Sequence, residues 1–309
     1  MYFDGIGWVG NNQDDFPEIF ELYKRDSNAD GNTWGTAIDL GDDAVVGMDG
    51  SVSFTTGLNV TNFSQFVISN TCATSNTDAN ANDIPDACEA SDLSLSVLLE
   101  GPYEASTGLM RTELAQQNLL PLQQPYTNAP FNYAGTETLS SIPTNMVDWV
   151  LVEVKSDVMP TTMFDRKAGL LLNDGSIVEL DGFSPLRIDL PYSGDFYYVI
   201  RHRNHLPVMT ANPVSKTSTM TYDFSDSLGK AFGAIQMAQT NDGRFASFGG
   251  DITQDFTIQT TDYDFWKANA ASLEVYDNAD VNLDSVIQTT DYDLWYKNRS
   301  ILTPPEVGY

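Results

Sequence analysis

Asp251-Ile-Thr-Gln-Asp-Phe-Thr-Ile-Gln-Thr-Thr-Asp262 and Asp280-Val-Asn-Leu-Asp-Ser-Val-Ile-Gln-Thr-Thr-Asp291 stand 29 residues apart (251 to 280) near the end of a 309-residue chain. In each copy, oxygen-bearing side chains fall at positions 1, 3, 5 and 12: Asp251, Thr253, Asp255 and Asp262, then Asp280, Asn282, Asp284 and Asp291. The carbonyls of Thr257 and Val286 stand at position 7, and Gln259 or Gln288 at position 9. A hard cation such as Ca2+ requires six to eight oxygens at about 2.3–2.6 Å, which a short turn aiming alternate side chains inward can supply. The offset persists through Thr261-Asp-Tyr-Asp-Phe-Trp266 and Thr290-Asp-Tyr-Asp-Leu-Trp295, which read as short helices whose Tyr and Trp pack together. Duplication of one ion-binding unit explains this constancy, since ligands and apolar positions are kept together.

This arrangement resembles a dockerin over residues 249–300, which implies a small α-helical calcium module and a cohesin-like partner. Position 6, where such loops turn sharply and prefer glycine, holds Phe256 in one copy and Ser285 in the other, so some backbone strain or a looser geometry is expected there. Position 3 of the first copy is the neutral Thr253, so the second loop is expected to bind the ion more tightly.

Fifteen Lys and Arg against 43 Asp and Glu give a formal charge of −28, which disfavours nucleic acid and anionic lipid surfaces as partners. The sequence shows no membrane span, lacking any run of eighteen apolar residues. The opening Met1-Tyr-Phe-Asp-Gly-Ile-Gly-Trp8 does not read as a secretory signal. The only two cysteines, Cys72 and Cys88, flank a polar segment, and a bond between them would stabilise it by about 3 kcal/mol in the chain-entropy model. A disulfide, an oxidising compartment and an extracellular or cell-surface location are therefore expected.

Between the cysteines, Asp78, Asn80, Asn82, Asp86 and Glu89 take positions 1, 3, 5, 9 and 12 of a further loop. The ending Ile84-Pro-Asp-Ala-Cys-Glu89 is similar to thrombospondin type 3 repeats, which implies a calcium linker over residues 71–91 held by ion and disulfide. Asp26-Ser-Asn-Ala-Asp30-Gly31 has the same early spacing, but position 12 is Ala37, and an ordinary hairpin turn accounts for it equally well.

The remainder reads as β. Residues 1–70 carry short alternating runs, Glu18–Tyr23, Ser51–Phe54 and Val60–Ser69, separated by Gly and Asp turns, and predict a small β-sandwich-like domain. Residues 92–248 carry Leu93–Leu99, Met146–Val154, Ala168–Leu172, Ser176–Leu180 and Phe196–Ile200, with Asn173-Asp174-Gly175 marking a tight hairpin. Four phrases here, Leu99–Tyr103, Leu120–Tyr126, Asn145–Glu153 and Val199–Leu206, resemble a hemagglutinin-like module of secreted Bacteroidota proteins, which implies a second sandwich and a surface location. The expected class is mainly β: two sandwich-like domains joined by a calcium and disulfide linker, then the helical pair and a tail at 301–309.

Candidate chemistry is sparse. His202 and His205, the only two histidines, lie in Arg201-His-Arg-Asn-His205 and are expected to form hydrogen bonds at a strand end. No nucleophile elbow, phosphate loop or dinucleotide fingerprint is present, and no carboxylate pair stands out as a glycosidase site. Trp8, Trp34 and Trp149 sit in strand-like contexts that favour core packing. Asn59, Asn62 and Asn298 begin glycosylation sequons.

These readings define a non-enzymatic, calcium-stabilised structural protein, a subunit of a cell-surface or filamentous assembly. Its partner would be another copy of itself, joined head to tail, or a cohesin-like surface domain. A carbohydrate-binding adhesin is the alternative, with glycans as ligands. In a third arrangement the duplicated pair caps its own sandwich.

Overall fold

The computed structural model describes residues 20–26, 44–46, 52–54, 64–70, 91–158, 163–188, 194–215, 219–234 and 236–308. The linker ligands Asp78, Asn80, Asn82, Asp86 and Glu89, the pair Cys72 and Cys88, and most of the Asp26–Asn32 loop lie outside them. The chain divides into two compact units, residues 1–89 with 190–193, and 90–189 with 194–309.

In the first unit, β1 (Phe20–Asp26) pairs antiparallel with β4 (Ser64–Asn70), and β2 (Ala44–Val46) with β3 (Val52–Phe54). These strands fall on the three alternating runs noted above and one further segment. The layering of the expected small sandwich lies outside the described residues.

The second unit is built on β5 (Ser91–Ser96), β8 (Met146–Lys155), β9 (Met163–Leu172), β10 (Ser176–Val178), β11 (Leu186–Ile188), β12 (Asp195–Arg201), β13 (Val208–Met209), β14 (Val214–Ser215) and β15 (Thr219–Asp223). Hydrogen bonds link all nine into one sheet in the order β11-β5-β10-β9-β8-β12-β13, with β14 also on β12 and β15 parallel to β5. Ladders β6–β7 (Tyr103–Glu104, Leu109–Met110) and β16–β17 (Met237–Gln239, Phe245–Ser247), and the short helix α1 (Glu113–Gln116), complete the sheet's surroundings. The chain is thus mainly β, as the sequence predicts, with nine strands between Ser91 and Asp223 hydrogen-bonded in one sheet and two short ladders beside it.

Strand β8 fixes where the core sits. Alternation places Val150, Val152 and Val154 on one face and Trp149, Leu151, Glu153 and Lys155 on the other, and every residue of the strand is buried. Both faces are therefore covered. The hairpin at Asn173-Asp174-Gly175 forms between β9 and β10, with Gly175 at φ +95° and Asp174 Oδ1 accepting from Ser176 N at 2.9 Å.

Helices α2 (Thr260–Asn269) and α3 (Thr289–Asn298) follow the two acidic loops and belong to the same compact unit as the sheet, so the expected boundary near 248 falls inside it. The tail is packed as well. Val307 is buried with Val199 and Met209, and Lys155 Nζ donates to Glu306 O at 2.7 Å.

A candidate metal centre seated on the sheet

The two loops fold alike because each is wound around its first and last carboxylates. Asp251 accepts from the N–H groups of Asp255 (3.1 Å) and Phe256 (3.2 Å); Asp280 accepts from those of Asp284 (3.1 Å) and Ser285 (2.9 Å). Asp262 and Asp291, in the first helical turns, reach back to the N–H of Gln259 (2.7 Å) and Gln288 (2.9 Å), satisfying helix-end donors. Their other oxygens take Thr253 N and Oγ1 in one loop, and Val281 N and Asn282 N in the other. Gln254 and Phe256, then Leu283 and Ser285, have positive φ (62°, 67°, 57° and 73°). The turn expected to need glycine is therefore made by left-handed Phe and Ser, a conformation that costs a non-glycine residue roughly 1–2 kcal/mol. The Phe256 ring has a use there, lying 5.4 Å from the Arg201 guanidinium.

A pseudo-twofold relation joins the copies. Trp266 Nε1 donates to Gln288 O at 3.1 Å and Trp295 Nε1 to Gln259 O at 2.8 Å, so each indole ties down the start of the other helix. Ile287 pairs with Ala271 and Ser272 as Ile258 pairs with Ser300 and Ile301, each at the same 29-residue offset. Tyr263, Trp266, Tyr292 and Trp295 form one ring cluster with centroids 5.2–5.9 Å apart, the packing the sequence predicts.

The donor set fits a hard cation. Asp251, Asp255 and Asp262 each offer an oxygen within 4.8 Å of the others. Burial, reinforced by the neighbouring carboxylates of Asp262 and Asp255, pushes Asp251 up to about 8. Burial likewise raises Asp280 to about 7, against the opposing pull of Arg203, and Asp291 to about 6. Crowded, partly desolvated carboxylates that resist ionisation are the arrangement a divalent ion relieves. Among the described residues the carboxylates of Asp280, Asp284 and Asp291 in the second loop do not gather as closely; there the Asn282 amide, in the predicted set with Asp284 and Val286, donates to Asp284 Oδ2 at 2.9 Å and Thr290 Oγ1 at 3.0 Å.

What the sequence does not disclose is how this unit is held. Arg201–His205, which reads as a charge-rich strand end, is buried throughout. Arg203 Nε donates to Asp148 Oδ2 at 2.8 Å, its guanidinium lies 4.2 Å from the Tyr276 ring, and Tyr276 Oη donates to Asp148 Oδ1 at 2.9 Å. Burial alone would raise Asp148, but Arg203 and the adjacent His202 overcome this and hold it at about 2. Gly101 N donates to His205 Nε2 at 3.1 Å, so His205 carries its proton on Nδ1, which faces Asn204 Oδ1 at 2.8 Å. Burial lowers both histidines, which are therefore neutral hydrogen-bonding groups at pH 7.

Three further contacts complete the seat. Glu100 accepts from Lys297 Nζ at 2.6 Å and from Asn298 Nδ2 at the end of α3. Gly101 lies so close to the second loop that a Cβ would stand 2.0 Å from Val281 O. Leu206, Ala238 and Phe248 form one apolar cluster with Ile258 and Trp295. Asn298, a sequon in the sequence, is 1% exposed with its amide nitrogen engaged, so the folded chain does not offer it for glycosylation. Trp149 is fully buried, as its strand context predicts.

No family model matches the chain, and no curated protein matches it. Among solved structures it is similar to a chain from an N-terminal interface mutant of a type II cohesin–X–dockerin complex of Acetivibrio cellulolyticus. The identity is 13% and the TM-score 0.32, covering 69% of this chain and 95% of that one. The corresponding C-terminal interface mutant gives 16% identity and a TM-score of 0.34 over 69% and 97%. Likeness at this level establishes neither a common family nor a common partner. No helix among the described residues is long and apolar enough to cross a membrane.

Proposed function

We propose that this protein is an extracellular, calcium-stabilised structural subunit of a cell-surface or filamentous assembly, without enzymatic activity. The observation that carries this reading is the union of the duplicated acidic loops with the main sheet, through a buried network that spans both. Calcium, plentiful outside cells, would occupy oxygens from Asp251, Thr253, Asp255, Thr257 and Asp262 and from Asp280, Asn282, Asp284, Val286 and Asp291. There it would stabilise the folded chain by mass action. The second loop, with Asn282 where the first has Thr253, is the tighter of the two.

Helix α3 faces the sheet, burying Trp295 and Asn298, whereas α2 buries only Asp262 and leaves Phe265 39% exposed. The outer side of α2 is therefore the surface a following copy, or a cohesin-like domain, would meet. Light scattering and negative-stain microscopy on the full chain at rising concentration test the assembly. Calcium-dependent particles that dissolve in EDTA are expected, and a monodisperse monomer in saturating calcium overturns the assembly reading. An unchanged melting temperature on chelation overturns the calcium reading.

One observation favours the adhesin as a second reading. An open depression of about 630 Å3 is lined by Asp92, Lys167, Glu179, Asp181 and Arg187, and Phe183 in the adjoining turn is 76% exposed. Charged groups beside an accessible ring suit a glycan. Binding on a glycan array that disappears in Phe183→Ala would favour it.

A further inference from the structure

The seat described above makes contacts with both loops through two consecutive residues. Asn204 Nδ2 donates to Asn278 O (3.0 Å) and to Asp280 O (2.8 Å), the backbone of the second loop's first ligand. The Asn204 carbonyl accepts from Gly250 N at 3.0 Å, immediately before Asp251, the first ligand of the other loop. Arg203 repeats the pattern. Its guanidinium donates to Asp277 O on the second loop's side, while its carbonyl accepts from Gln254 Nε2, inside the first loop, at 2.7 Å. Both residues are buried, Asn204 completely, and Asp148 and Tyr276 fix Arg203 from the other side.

We propose that Arg203 and Asn204, in the connection just after β12, are positioning residues that couple the two loops, so that the loops take up calcium as a cooperative pair. This rests on the calcium reading of the same loops and goes beyond it, because the coupling element belongs to the sheet and not to the duplicated unit. A loop closes on calcium by drawing its carboxylates to about 2.3–2.6 Å from the ion, which fixes the backbone at its first ligand. Fixing Asp280 fixes the Asn204 side chain, and Asn204 in turn holds the approach to Asp251. The first ion thus orders a segment that the second ion finds already ordered, which produces positive cooperativity with no large movement. Linkage requires the effect to be mutual.

Calorimetric calcium titration of the full chain tests this, using variants that leave the buried frame alone. Asp255 is exposed and Asp284 half-buried, so Asp255→Ala and Asp284→Ala each disable one loop. The double variant supplies the background from any site elsewhere in the chain. Disabling either loop is expected to weaken calcium binding at the other by roughly 5–150-fold, equally in both directions. Gln254→Ala, which cuts the tie to the Arg203 carbonyl without removing a predicted ligand, is expected to shrink that factor. Unchanged affinity in the remaining loop overturns the coupling, and an undiminished factor in Gln254→Ala overturns its assignment to the strand end. If the wild-type chain takes up no more calcium than the double variant, the calcium reading itself falls. Two independent sites leave that reading standing and refute only this inference.

Discussion

Replacing Asp148 by alanine tests the buried seat directly. Asp148 is 0% exposed and Arg203 3%, with 2.8 Å between Nε and the carboxylate, and Asp148 also receives Tyr276 Oη and Trp149 N. Removing one partner of such a buried pair leaves a desolvated charge without its counter-ion, a loss of about 3–5 kcal/mol. The compact unit holds just over two hundred residues, a size at which 1 kcal/mol shifts the midpoint by about 2–4 °C, so the expected fall is roughly 6–20 °C. Differential scanning calorimetry in saturating calcium measures it. The double variant Asp148→Leu with Arg203→Met should recover most of the loss, because two apolar side chains strand no charge. A loss below about 1 kcal/mol for Asp148→Ala, or a double variant as damaged as the sum of the singles, would refute the reasoning.

The loop carboxylates impose a pH dependence. In the calcium-free fold Asp251, Asp280 and Asp291 are raised to about 8, 7 and 6 from 3.8, so the folded form binds more protons than the unfolded one in between. Their contribution is full below about pH 4 and is lost as the pH rises through 6 to 8, so calcium should raise the melting temperature more at pH 8 than at pH 5.5. A calcium-induced shift independent of pH contradicts this. Ser285→Gly should stabilise the chain by about 0.5–1 kcal/mol in urea denaturation by relieving a left-handed serine, whereas Phe256→Gly should destabilise it by losing the ring beneath Arg201. Truncation after Phe248 should give an insoluble product, since it strips Ile258 and Trp295 from their cluster and uncovers the strand end at 201–205. A soluble, folded fragment would contradict the single-unit architecture.

The duplicated unit was legible because its signal is local. Ligand residues, helix starts and ring positions repeat at a fixed offset, and each copy closes largely on itself. The long strands were legible from alternation, as at Val150, Val152 and Val154. Arg201–His205 was not, because its partners, Glu153, Asp148, Asp280 and Val307, come from distant parts of the chain, and nothing nearby distinguishes a buried charge from a solvated one. The tail hides for the same reason. Pro304-Pro305-Glu306 reads as a loose end, yet its backbone carbonyls serve buried cations, Glu306 O taking Lys155 and Val307 O taking Arg201. The parallel pairing of β15 with β5, in which Thr219 lies opposite Asp92, 127 residues away (219 − 92), likewise left no trace in periodicity.

Calcium in the loops and the sheet beneath them are proposed to form one cooperative structure. Hydrogen–deuterium exchange of the full chain with and without calcium measures this at the backbone of β8 and β12. Slower exchange in 146–155 and 195–201 together with 249–300 is expected on adding calcium. Protection confined to 249–300, with both strands unchanged, would contradict it.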